Sequence, residues 1–149
     1  MKLFRLALAC SAVVAALTLA APATASTTLK YHATFVENGA GHTTCAPGTS
    51  CGSATISGLG HVAFQSVAFG ACGPNCHLRT IPFDGGTLLI QESVVGQVSA
   101  GANVPLFLLI SQTIVGGTGI FDGATGGGSG RVNLAVPGIV TASGTITLP

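Results

Sequence analysis

The sequence predicts an all-β protein of about eight short strands, arranged as a sandwich or a barrel. Three observations carry this. Beyond the N-terminal segment no stretch keeps a 3.6-residue apolar period over three turns. Several stretches instead alternate apolar and polar residues, the mark of a half-buried strand. Clusters of Gly, Pro, Asn and Asp punctuate those stretches at short intervals, as turns between strands do.

The N-terminal segment reads as an export signal. Lys2 and Arg5 precede an apolar run from Leu6 to Ala21, and Ala23-Thr24-Ala25 is an A-x-A cleavage site. The run is too short for a membrane span. Cys10 lies inside the run rather than at its end, which disfavours a lipoprotein anchor. The expected organisation is a signal peptide over 1–25 and a single domain over 26–149, secreted to an extracellular or periplasmic space.

Residues 26–149 carry three cations (Lys30, Arg79, Arg131) and four anions (Glu37, Asp84, Glu92, Asp122), a net charge near −1 with histidines neutral. A nucleic-acid binder needs a basic footprint, and a polybasic membrane patch needs clustered Lys and Arg. Neither partner is expected once the signal is removed.

Four cysteines follow the signal: Cys45, Cys51, Cys72 and Cys76. An even count in an exported chain implies disulfides, with three connectivities open. Spacing favours Cys45–Cys51 and Cys72–Cys76, each closing a Pro/Gly turn. The segment Cys72-Gly-Pro-Asn-Cys76-His77 has three residues between its cysteines, one too many for a thioredoxin or haem-attachment motif. A zinc site from these cysteines, with or without His42 and His77, would have unusual spacing. No metal or other cofactor is expected.

Taken in order, Thr28 to Val36 alternates with Leu29, Tyr31, Ala33 and Phe35 on one face. Glu37 to Gly52 reads as a polar loop holding the first cysteine pair. Ser53–Gly58 and His61–Phe69 are strands meeting near Gly58-Leu59-Gly60, with Val62, Phe64 and Ala68 on a shared face. Gly70 to Leu78 is the second stapled loop. Arg79–Phe83 is a short edge limited by Pro82. Asp84-Gly85-Gly86 turns the chain into Thr87–Val95 and Gln97–Ser99, with a bend expected at Gly96. Val104–Val115 is so apolar that burial on both sides is expected. Arg131–Val136 and Ile139–Leu148 finish the chain, joined at Pro137-Gly138.

Between the last two groups lies a stretch, 115–130, in which eight of sixteen residues are glycine. It reads as a shaped connection, with Phe121 tucked onto the core and Asp122-Gly123 as a tight turn. It is not a phosphate loop: no lysine follows Lys30, and Asp122 stands where the third glycine of a dinucleotide fingerprint belongs.

The run Gly116-Gly117-Thr118-Gly119-x-Phe121-x-Gly123-Ala124-Thr125-Gly126 resembles the G-G-T-G-x-F-x-G-A-x-G signature of the allene oxide cyclase-like barrel proteins, a grouping that includes the plant dirigent proteins and small secreted bacterial proteins. The strand pattern extends the resemblance over 27–149. It implies a closed antiparallel barrel of about eight strands, in which this turn is structural, and it implies a homo-oligomer, a trimer in the plant relatives. None of the family's catalytic residues can be matched here, and Ile120 stands where bacterial relatives often carry a basic residue.

An eight-stranded barrel can hold side chains or one small ligand. Leu88, Ile90, Glu92 and Val94 share a face; if it points inward, Glu92 is a carboxyl in an apolar lumen. A carboxyl buried there holds its proton more tightly and can act as acid or base. Tyr31, Gln91, His61 and Arg79 are further candidate lining residues. No Ser/His/Asp arrangement is present, and the acidic residues suggest no convergent pair. Three readings follow in order of preference. The first is a non-enzymatic module binding a small apolar molecule in the barrel. The second is a structural or interaction protein with a filled barrel. The third is an enzyme, an isomerase like the allene oxide cyclases or a dirigent-like template for a reactive intermediate.

Overall fold

A computed structural model of the protein describes residues 25–38, 44–99, 101, 105–134 and 138–149, with Pro105 by its backbone alone. Residues 1–24 of the predicted signal peptide, Cys10 among them, and also His42, Val104, Val136 and Pro137, lie outside the described residues. Eight antiparallel strands close into one barrel in simple sequence order. They are β1 (Thr27–Glu37), β2 (Thr49–Ile56), β3 (Gly60–Phe69), β4 (Cys76–Phe83), β5 (Gly86–Ser99), β6 (Pro105–Gly117), β7 (Thr125–Asn133) and β8 (Ile139–Leu148). Closure pairs β1 with β8 over ten residues, Thr27 with Leu148 through Val36 with Ile139, so neither strand is left as an edge. No helix among the described residues is long and apolar enough to cross a membrane.

Up-and-down order puts alternate connections at opposite ends. The β2–β3, β4–β5 and β6–β7 connections share one end with Thr27, where β1 begins, and Leu148, where β8 ends. This end is sealed. Gly119–Phe121 forms a single 3-10 turn, and Phe121 is fully buried beside Phe83, with ring centroids 5.5 Å apart. The turn is tied to the β4–β5 hairpin: Ile120 N–H donates to Gly85 O, and Thr118 exchanges bonds with Thr87 through N–H and Oγ1. Gly119 is required here, because its φ of +62 is left-handed and an added Cβ would run into the Gly85 backbone. Phe121 is therefore the anchor that the sequence suggests.

The opposite end carries the β1–β2 and β3–β4 connections, and with them both disulfides, Cys45–Cys51 and Cys72–Cys76. These are the pairings favoured by spacing.

Several boundaries differ from the sequence reading, each for a physical reason. The glycine-rich stretch is not all connection: Thr125 to Gly130 belongs to β7, paired with β6 and β8. Inward-facing Gly128 lies beside Gly144 of β8, and a Cβ on Gly128 would fall 2.6 Å from Tyr31 Oη. Glycine occupies the strand there because other groups fill the space of its side chain. β2 begins at Thr49 and β4 at Cys76, so one cysteine of each pair lies in a strand. β4 is not an edge. Its pairing with β3 ends at Thr80, before Pro82, whose missing N–H therefore breaks no ladder bond on that side.

Irregularities re-aim two strands. Between Gly52 and Ala54 the β2–β3 register shifts, so one residue of β2 faces two of β3. Beyond that bulge Gln65 and Val67 turn inward, while Phe64 points out at 53 % exposure, so Val62, Phe64 and Ala68 do not share a face. β5 runs unbroken through Gly96, with a register irregularity there in place of a break. β6 is not buried on both sides in the single chain. Ile110, Gln112 and Ile114 face the lumen, and Leu109 and Val115 are exposed.

Candidate functional site

The lumen is divided into three levels. Towards the sealed end it is occupied by the buried side chains of Ile56, Ile81, Leu88, Ile146 and Phe121, with a further cavity of about 220 Å³ where the β2–β3 connection meets Phe83 and Phe121. Near the middle lies a buried ionic cluster. Above the cluster, towards the disulfide end, a cavity of about 220 Å³ opens.

The cluster centres on Arg79 of β4, only 1 % exposed. Its Nε and Nη2 donate to Oε1 and Oε2 of Glu92 on β5, both at 2.9 Å, the bidentate geometry that fits guanidinium to carboxylate. Nη2 also donates to Glu37 Oε1 at 2.8 Å, and Nη1 to Gln65 Oε1 at 2.8 Å. The guanidinium carbon lies 4.0 Å from the centroid of the Phe35 ring, a cation–π contact. Burial disfavours the charge on Arg79, but the two carboxylates outweigh it and hold its pKa above the ordinary value.

Glu92 also accepts a hydrogen bond from Gln112 Nε2 at 2.7 Å, and Tyr31 Oη donates to Gln112 Oε1 at 2.6 Å. Four inward side chains of β1, β4, β5 and β6 thus form a chain from phenol to guanidinium. Burial first, and the Glu92 charge second, push the Tyr31 pKa up to about 12.

The cavity walls are apolar: Val67, Val94, Leu108, Ile110, Val132 and Val140. Phe69 and Leu134 lie at its rim, 43 % and 38 % exposed. Glu37, Arg79, Glu92 and His77 supply the polar part of the lining. Arg79 and Glu92 sit one inward step deeper than His77 and Val94 on their strands, so they form the floor. His77 packs edge-on against Phe69 and accepts from Gly70 N–H at Nδ1.

The structure brings three of the five sequence candidates together: Glu92, Arg79 and Tyr31. It places the other two elsewhere. Gln91 alternates with inward Ile90 and Glu92, so it points to the outer face. His61 is exposed at the sealed end, bonded to Thr55 Oγ1 at 3.0 Å. Glu92 is also not a lone carboxyl in an apolar lumen, because it is ion-paired on both oxygens.

Three members of the cluster escape the sequence reading. Glu37 continues the alternation of Tyr31, Ala33 and Phe35 by one further inward step, so extending β1 by a single residue finds it. Gln112 sits at period two between Ile110 and Ile114, but its outer neighbours Ser111 and Thr113 are polar too, so no alternation singles it out. Gln65 is concealed by the β3 bulge, which no residue pattern announces.

Among the described residues no three His, Cys, Asp or Glu side chains are grouped to hold a metal ion. No family model, no characterised protein and no solved structure matches the chain.

Proposed function

We propose that the protein is an exported barrel that binds a small apolar molecule in the cup at its disulfide-bearing end, without transforming it. The observation that carries this reading is the cup itself, an apolar-walled space above a fixed polar floor. Binding sites combine mostly apolar walls with a few placed polar groups. At about 220 Å³ it is smaller than sites for drug-sized ligands, which begin near ~300 Å³, so the ligand is a fragment of that scale.

The floor supports the same reading from energetics. A buried ion cluster is rarely the most stable filling of a core, and apolar replacements often do as well or better. Here it also leaves Gln65 Nε2 buried without a partner among the described residues. That arrangement suits a rigid polar platform better than it suits maximal stability. Catalysis is the weaker reading, because both oxygens of Glu92 are already engaged. The disulfides and the N-terminal signal pattern support export, and the closed barrel with its glycine turn is compatible with kinship to the allene oxide cyclase-like proteins.

The test is methyl NMR with 1-hexanol as probe. Saturable shifts at Val67, Val94, Leu108, Ile110 and Val140, with Ile56 and Ile81 unmoved, are expected. No saturable shift, or shifts confined to the outer face, would refute the cup as a binding site.

A further inference from the structure

We infer that the occupant of the cup carries a positively charged head, an ammonium or amidinium group on a short apolar body; the inference rests on the cup being a ligand site. The cluster beneath the cup is not electrically balanced. Two carboxylates, Glu37 and Glu92, meet one guanidinium, Arg79, which leaves one negative charge over.

That surplus sits where a ligand can reach it. Glu92 is 4 % exposed and engaged on both oxygens, whereas Glu37 lines the cup nearer the rim at 12 % exposure. Glu37 Oε1 accepts from Arg79, while Oε2 has no partner among the described residues. Among the described residues no other group facing the cup supplies the missing positive charge. His77 turns Nδ1 to the Gly70 N–H and its ring to Phe69, and makes no ion pair with Glu37 or Glu92. Tyr31, below the floor, ionises only near pH 12 and then to an anion. Arg131 lies on the outer face with its guanidinium carbon 5.5 Å from the Phe107 ring centroid.

A cationic head at Glu37 Oε2 balances these three charges and donates to an acceptor that no described residue fills. Charge-assisted hydrogen bonds are the strong ones, and apolar walls reduce the screening of this one. A carboxylate head would meet like charge there and lose its hydration without return. The cup has about seven times the ~30 Å³ that one water occupies in the liquid, so the body is a chain or ring of about six to eight heavy atoms.

The test compares three probes of equal chain length, hexylammonium, 1-hexanol and hexanoate, by calorimetric titration of the disulfide-intact protein at pH 7. The same titrations are followed by methyl NMR. The expected order is hexylammonium about tenfold tighter than hexanol, with hexanoate weakest, and an ammonium advantage that shrinks as salt is added. Glu37→Gln should remove the advantage, so that hexylammonium binds no tighter than hexanol. The comparison on the native protein stands even if that variant folds poorly. Equal affinity for hexylammonium and hexanol, or a preference for hexanoate, overturns the charged head while leaving an apolar site intact. If no probe shifts the cup methyls, the cup reading and this inference fall together.

Discussion

Tyr31 Oη reaches Gln112 Oε1 at 2.6 Å across the width of two intervening strands. Register explains how. Tyr31 pairs with Gly144, Gly144 with Gly128, and Gly128 with Gln112, so the four residues form one rank across β1, β8, β7 and β6. The two glycines between contribute no side chains, and the phenol lies over them. The rank continues through Glu92, the register partner of Gln112, to the ion cluster. The glycine-rich stretch is therefore the gap through which β1 is wired to Arg79.

Replacing one of those glycines tests the wiring. Gly128→Ala places a methyl 2.6 Å from Tyr31 Oη as well as against the β8 backbone. The expected cost is about 2–4 kcal/mol, in the range of overpacked cores and above. Gly96→Ala is the control, since a Cβ there meets only Leu109 at an ordinary 3.6 Å; its effect should stay within about 0.5 kcal/mol. Urea denaturation of both variants measures the difference.

Tyr31 can be followed on its own, because the chain has one tyrosine and no tryptophan. Tyrosinate absorbance near 295 nm should therefore rise with a midpoint near pH 12 in the folded protein, against about 10 once unfolded. A phenol whose pKa is raised on folding binds its proton more tightly in the folded state. Its stabilisation is fully present below pH 10 and is lost as the pH rises through about 12, a loss on the order of 2 kcal/mol. A folded-state midpoint near 10 would mean that the phenol is not held as described.

Breaking the ion cluster on one side should hurt more than removing the pair. Arg79→Met strands Glu92 in the lumen and should cost about 3–5 kcal/mol. Adding Glu92→Met removes the stranded charge, and the double variant should recover about 1–2 kcal/mol of that loss. Denaturant curves over the four-protein cycle give the coupling directly. Additive losses would show that Arg79 and Glu92 do not depend on one another.

Phe121 closes the far end of the barrel. Phe121→Ala removes a fully buried ring and leaves a void beneath Phe83, so a loss of about 3–5 kcal/mol is expected. Ile120→Ala, one residue earlier but 53 % exposed, should cost far less. Thermal unfolding of the two variants separates an anchoring role from a general sensitivity of the turn.

Much of this architecture is legible in the sequence because period-two alternation reports strands that have side chains to alternate. β1, β5 and β8 show it, and Leu88, Ile90 and Glu92 face inward as their spacing suggests. The pattern fails where side chains are missing or the pleat slips. Gly126 to Gly130 offers no apolar residue to alternate, so β7 reads as loop until its neighbours are known. In β6 Gln112 stands between the polar outer residues Ser111 and Thr113, so no alternation marks it as inward. In β3 the bulge after Val62 reverses the faces and brings Gln65 inward. Of the site, the residues at the centres of alternating strands were legible. Glu92 reaches Arg79 from the neighbouring strand of one hairpin, whereas the meeting of Glu37, at a strand end, with Arg79 joins residues 42 apart in the chain and depends on closure of the barrel.

The division of the lumen into a filled half and an open cup can be tested most directly by a crystal structure of the protein under xenon pressure. Xenon enters dry apolar cavities of this scale and is visible without a chemical handle. Xenon is expected among Val94, Leu108, Ile110 and Val140, above Arg79 and Glu92, and none between Tyr31 and Phe121. A cup closed by its own side chains, or xenon in the Phe121 half alone, would contradict it.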